Sequence, residues 1–276
     1  MISFIFILFI ISHVYATYHL TIVLVSAPKK IPMLTYTIEY IIHAYEYNKG
    51  DIIIDGVFIG KGCDCDHPEV SENVELLNKF GIPAFEINMD KQILDSNSDV
   101  FKNAHEYYSN IWHDIHQFRH PVEYVSYYKG ARVTYFFDQL MDAAKKQFPD
   151  FDYLLTMEDD VASPKDFFIK LTNEMNKKYD NEFMIKIGYM PWHKIPETHW
   201  KLPRDICVYG YYGNLFNQKQ LNEFLRFGHY QIYVHTGDLY PCEVYRIFDK
   251  SIRMSEIVRH FGHDKRVKRR DPKFWD

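Results

Sequence analysis

Three consecutive acids, Glu158, Asp159 and Asp160, follow the largely apolar run Phe151-Asp-Tyr-Leu-Leu-Thr-Met157. Adjacent carboxylates repel one another. Such a cluster persists most easily where a cation or several N–H donors neutralise it. Oxygen ligands favour the hard cations Mg²⁺, Ca²⁺ and Mn²⁺ over thiophilic metals. Tyr153, Leu154, Leu155 and Met157 read as a strand buried on both faces, as in a parallel sheet. The acids then fall at its carboxyl end, where open α/β sheets bind ligands. A solvated loop between strand and helix would carry the same residues, so the surrounding elements have to distinguish the two.

Those elements alternate. His19 to Val25 reads as a first strand, with Ser26-Ala-Pro-Lys-Lys30 as the loop at its carboxyl end. A helical pattern runs from Pro32 to Tyr47, a strand from Asp51 to Phe58, a helix from His67 to Phe80 and a short strand from Pro83 to Ile87. A long amphipathic helix, Tyr127 to Phe148, leads into the acidic strand. After the acids, Ser163 is a good N-cap and Pro164 suits the first helical position. Phe167, Leu171 and Met175 then make an apolar face on a helix over 164–178. A strand over Phe183 to Tyr189 follows, then helices near Gln218 to Phe227 and Gly237 to Phe248. A last strand, Arg253 to Val258, runs into Arg259-His-Phe-Gly-His263 and a basic tail. This order implies right-handed βαβ units and an α/β fold with a mostly parallel sheet, in one domain from residue 17 onward.

The 276 residues suffice for such a domain. A net charge of −5 gives no reason to expect a nucleic-acid partner. Residues 1–16 have an apolar core, Ile2 to Ile11, before Val14-Tyr15-Ala16, the pattern of a secretory signal peptide or a short anchor. Membrane contact is expected only if that segment is uncleaved. Entry into the secretory pathway, the ER and Golgi lumen or the exterior, lets Cys63, Cys65, Cys207 and Cys242 pair as disulfides. Cys63–Cys65 with Cys207–Cys242, or cross-pairing, are both open. Cys63-Asp-Cys65-Asp-His67 lacks the second ligand pair that a structural zinc site usually needs.

The order of features resembles the secretory-pathway glycosyltransferases of the N-acetylglucosaminyltransferase IV family and the related GPI-glycan N-acetylgalactosaminyltransferases. Glu158-Asp-Asp160, Gly210-Tyr-Tyr-Gly-Asn-Leu-Phe216 and Ser255-Glu-Ile-Val-Arg-His-Phe-Gly-His263 carry the resemblance. It implies a GT-A fold, a UDP-sugar donor with Mn²⁺ (or Mg²⁺), inversion at the anomeric centre, and a glycan, glycoprotein or glycolipid acceptor. The chain has no counterpart of the transmembrane hairpin that the GPI enzymes carry within the catalytic domain, so the acceptor stays open.

Read with that resemblance, Asp160 is the first expected metal ligand. Asp159 assists or holds ribose, Glu158 stands beside them, and His260 completes the metal sphere. His263, Lys265 and Arg266 are candidates for the donor phosphates. Lys129 and Arg132, on the long helix, are candidates for the nucleotide, and Ser26 and Pro28 for the base. Inversion needs a general base for the acceptor hydroxyl; Asp238 is the first candidate and Glu243 its rival. Two other readings stand beside this one: a secreted carbohydrate-binding or effector protein without turnover, and a metal-dependent phosphohydrolase.

Overall fold

The computed structural model describes residues 17–63, 65–99, 101–103, 105–106, 124–177, 182–189, 213–231 and 251–260. Their strands join one eight-stranded sheet in the order β3-β2-β1-β4-β7-β6-β8-β5. The strands are β1 (Tyr18–Ser26), β2 (Ile52–Lys61), β3 (Ala84–Asn88), β4 (Tyr153–Glu158), β5 (Val161–Ala162), β6 (Glu182–Tyr189), β7 (Asn214–Asn217) and β8 (Ser251–His260). The helices are α1 (Met33–Asn48), α2 (Pro68–Lys79), α3 (Lys91–Leu94), α4 (Tyr124–Gln147), α5 (Phe167–Met175) and α6 (Gln218–Gln231).

β3, β2, β1 and β4 run parallel, and β6 and β8 keep that direction. β7 runs antiparallel between β4 and β6, and β5 antiparallel beside β8. This is a mostly parallel, Rossmann-like sheet, consistent with a GT-A fold. The chain alternates between the two faces because β1 and β4 are apolar on both. Leu20, Ile22 and Leu24 pack with Leu155 and Met157 against α1, α2 and α5, while Val23 and Leu154 pack against α4 and α6. Burial of such side chains supplies about 1.5–3 kcal/mol each before conformational entropy is counted. Among the described residues, no helix is long and apolar enough to cross a membrane.

Two short strands were not legible in the sequence. β7 lies inside the Gly-Asn-Leu-Phe stretch, which reads as a lead-in to a helix. β5 occupies Val161–Ala162, expected to be loop. The helix after the acids starts at Phe167, three residues later than expected, with Asp166 rather than Ser163 before its first turn. Pro164 instead closes a turn, its carbonyl accepting from Phe167 N at 3.0 Å. Ser163 is buried and its Oγ has no hydrogen-bond partner among the described residues, so it does not cap the helix. Residues 1–16, Cys207, Cys242 and the helix expected over 237–248 lie outside the described residues.

Candidate metal and ligand site

β4 ends at Glu158, and the next two residues turn the chain into β5. That two-residue strand pairs with the end of β8, Val161 opposite His260. The register therefore sets His260 beside the acid turn. Its Nε2 lies 3.0 Å from Asp160 Oδ1 and 3.5 Å from Glu158 Oε2. One ligand atom from each of Glu158, Asp160 and His260 falls within 4.8 Å of the other two. Asp160 and His260 are nearly buried, and Glu158 is partly exposed. The turn is fixed from below by α1, where Thr37 Oγ1 accepts from Val161 N at 3.1 Å.

Asp159 faces the other way, toward β1. Its Oδ2 accepts from Ser26 Oγ at 3.0 Å and from Ala27 N at 3.4 Å, and its Oδ1 takes the Lys29 ammonium. Lys29 Nζ also stands 3.3 Å from Asp160 Oδ2. Asp160 thus meets a histidine on one oxygen and a lysine on the other. Ser26 Oγ has a second neighbour, His67 Nε2, at 3.0 Å. A carboxylate only accepts, so the serine hydrogen goes to Asp159 and His67 donates through Nε2. Gly62 closes this corner. Its N–H donates to Ser26 O at 2.6 Å, and a Cβ there would stand 2.8 Å from the same oxygen. A Cys63–Cys65 disulfide follows at once. The thiols are bonded to each other, which removes the zinc-like reading of Cys63-Asp-Cys65-Asp-His67.

The charges follow from burial and neighbours. Burial pushes the Asp159 carboxyl up to about 6 against the opposing pull of Lys29. Burial would also raise Asp160, but the adjacent His260 and the Lys29 charge outweigh it and hold the pKa below the usual value. Burial disfavours a charged His260, yet Asp160 and Glu158 outweigh it and raise the imidazole to about 9. Burial likewise opposes a charged Lys29, but the two aspartates lift it above its ordinary value. For His67, burial dominates and lowers the pKa, which keeps the ring neutral. Lys29 and a protonated His260 therefore offset two of the three negative charges of the acid turn.

Of the residues singled out by sequence, the fold brings Ser26, Glu158, Asp159, Asp160 and His260 to one sheet edge. Pro28 lies in the loop between β1 and α1, next to Lys29. Asp159, expected to assist at the metal, is engaged by β1 and is not one of the three converging ligands. Arg132 stacks over the Tyr128 and Phe136 rings at 5.3 and 5.7 Å. Lys129 belongs to α4, but its side chain lies outside the described residues, as do Asp238, Glu243, His263, Lys265 and Arg266. Lys29 and His67 were not foreseen as site residues. The rule that ligands gather at strand carboxyl ends points at both loops, but not at which side chain turns inward.

The donor set suits a divalent cation. Two carboxylates and one imidazole match Mn²⁺, and Mg²⁺ would use the oxygens more readily than the nitrogen. The protein is thus an α/β domain with a mostly parallel sheet and an acid–histidine cluster at its carboxyl edge. No family model matches the chain, and no curated protein sequence does. Among solved structures, the inositol-1-phosphate CTP transferase from T. maritima aligns over 94% of this chain and 97% of its own, at 8% identity and a TM-score of 0.49. Mouse xyloside xylosyltransferase 1, in its apo form, covers 84% of this chain and 81% of its own, at 10% identity and a TM-score of 0.43. A mycobacterial protein covers 92% and 70%, at 11% identity and a TM-score of 0.44. Likenesses this loose carry no argument about chemistry.

Proposed function

We propose that the chain is a metal-dependent glycosyltransferase that uses a nucleotide-diphosphate sugar. The observation that carries this is the convergence of Glu158, Asp160 and His260 at the carboxyl edge of a mostly parallel sheet. A diphosphate leaving group gathers negative charge as the glycosidic bond breaks, and a bound Mn²⁺ or Mg²⁺ would stabilise that charge as a Lewis acid. Glu158, Asp160 and His260 would hold the ion. His260 must first release its proton, because only the neutral imidazole ligates. Ser26, Asp159 and His67 fix the β1 loop against the acid turn, so the edge that receives the nucleotide is rigid before the donor arrives.

The sequence resemblance supports UDP as the nucleotide, GlcNAc or GalNAc as the sugar, and inversion as the outcome. It also supports Asp238 as general base, with Glu243 as rival, and a lumenal site of action on a glycan, glycoprotein or glycolipid. Arg132, Lys129, Pro28, His263, Lys265 and Arg266 remain proposed donor contacts on the same ground.

The test is calorimetric titration of UDP into the protein with Mn²⁺ and then with EDTA. Binding in the micromolar range that disappears with EDTA is expected, followed by UDP release from a UDP-sugar. No binding in either condition moves the reading to a protein without turnover. Phosphate release from a phosphomonoester would favour the hydrolase.

A further inference from the structure

We propose that Lys29 is a second cation of the donor site, which leaves the aspartates when the metal enters and takes an oxygen of the diphosphate. This rests on the nucleotide-diphosphate reading above. Asp160 presents Oδ1 to His260 at 3.0 Å and Oδ2 to Lys29 at 3.3 Å. A divalent ion held by Glu158, Asp160 and His260 would share Asp160 with the Lys29 ammonium. The two cations would repel across Asp160, and the ion would weaken the attraction that this carboxylate offers the lysine.

Lys29 is built to move. Its side chain is 36% exposed, whereas those of Asp159 and Asp160 are 7% and 11% exposed. It hangs on a flexible four-carbon stem with a compact charge, the form of a phosphate-binding lysine. Asp159 also has other donors once the lysine departs, since Ser26 Oγ and Ala27 N stay on its Oδ2. The direction of the swing follows from charge. A diphosphate held by the ion would be the anion that the ligand itself supplies to the displaced ammonium.

The experiment compares wild type with Lys29→Met and Lys29→Arg, measuring Mn²⁺ alone, UDP with Mn²⁺, and UMP with Mn²⁺. Lys29→Met is expected to bind Mn²⁺ alone at least as tightly as wild type, because a neighbouring positive charge is gone. Its affinity for UDP with Mn²⁺ should fall about ten- to a hundredfold, the range of a charge-assisted hydrogen bond. UMP should lose less, and Lys29→Arg should recover part of the UDP affinity. Unchanged UDP binding by Lys29→Met, with wild type binding normally, overturns the role of Lys29 but not the nucleotide site. Loss of Mn²⁺ binding in Lys29→Met makes the lysine a structural pin of the acid turn and also overturns the proposal. Failure of wild type to bind UDP removes both readings together.

Discussion

His260 Nε2 stands 3.0 Å from Asp160 Oδ1, although the two residues reach that point from different strands. β5 makes the meeting. Val161 follows Asp160 in the chain and pairs with His260 across the antiparallel β5–β8 ladder. A shift of one residue in that register would carry His260 to the other face of the sheet.

Loss of a converging ligand should remove the metal and spare the fold. Asp160→Asn and His260→Ala are each expected to weaken Mn²⁺ binding by about a hundredfold or more, since outer partners alone are worth ten- to a hundredfold. Titration calorimetry with Mn²⁺ and a thermal melt of each variant check this. Asp159→Asn should weaken Mn²⁺ much less, because Asp159 is held by β1. An equal loss in Asp159→Asn would place that residue among the ligands after all.

Metal binding should release protons. His260 is raised from 6.5 to about 9 in the metal-free protein and must be neutral to ligate. Mn²⁺ affinity is therefore expected to rise with pH up to about 9 and then level. The sign for stability is opposite. A raised folded pKa gives stability that is fully present below 6.5 and lost as pH rises through about 9. Calorimetry in buffers of different ionisation enthalpy would count the proton. His260→Ala should show no such release.

Asp138 is an internal carboxylate in α4. It is 4% exposed, and neither of its oxygens has a hydrogen-bond partner among the described residues. Burial, with Asp142 adding to it, lifts its pKa well above 3.8. Its folded state holds the proton more tightly, so it costs stability as pH rises above 3.8. Asp138→Asn should therefore raise stability at pH 8 by roughly 1–3 kcal/mol, the cost of an unsatisfied buried group. The gain should shrink as pH falls toward the ordinary carboxylate range. A gain that does not vary with pH would mean that the carboxyl is not the source.

Gly213 joins three strands. Its N–H donates to Thr156 O at 2.8 Å on β4, and its carbonyl accepts from Ile187 N at 2.7 Å on β6. It adopts φ +70, and a Cβ would stand 2.7 Å from Gly188 N. Both the backbone conformation and the space exclude a side chain. Gly213→Ala is expected to cost roughly 1–3 kcal/mol or more. Urea denaturation would show the midpoint fall, and a wild-type midpoint would remove this account of the turn.

The sequence by itself determined the parallel part of the fold and the place of the acids. β1 and β4 are apolar at successive positions, which only a doubly covered strand tolerates, and Glu158 to Asp160 follow the apolar run directly. Periodicity located α1, α2 and α4 to within a few residues for the same reason: each buries one stripe. Short elements gave no such signal. β5 has two residues and β7 four, and both exist because their backbone groups complete ladders begun by β8, β4 and β6. The tertiary structure alone decided how the three acids divide. Asp159 and Asp160 are chemically alike and adjacent, so no pattern of residue types could assign one to Ser26 and the other to His260. The directions of their side chains are set by a turn between strands that the chain brings together only when the sheet closes.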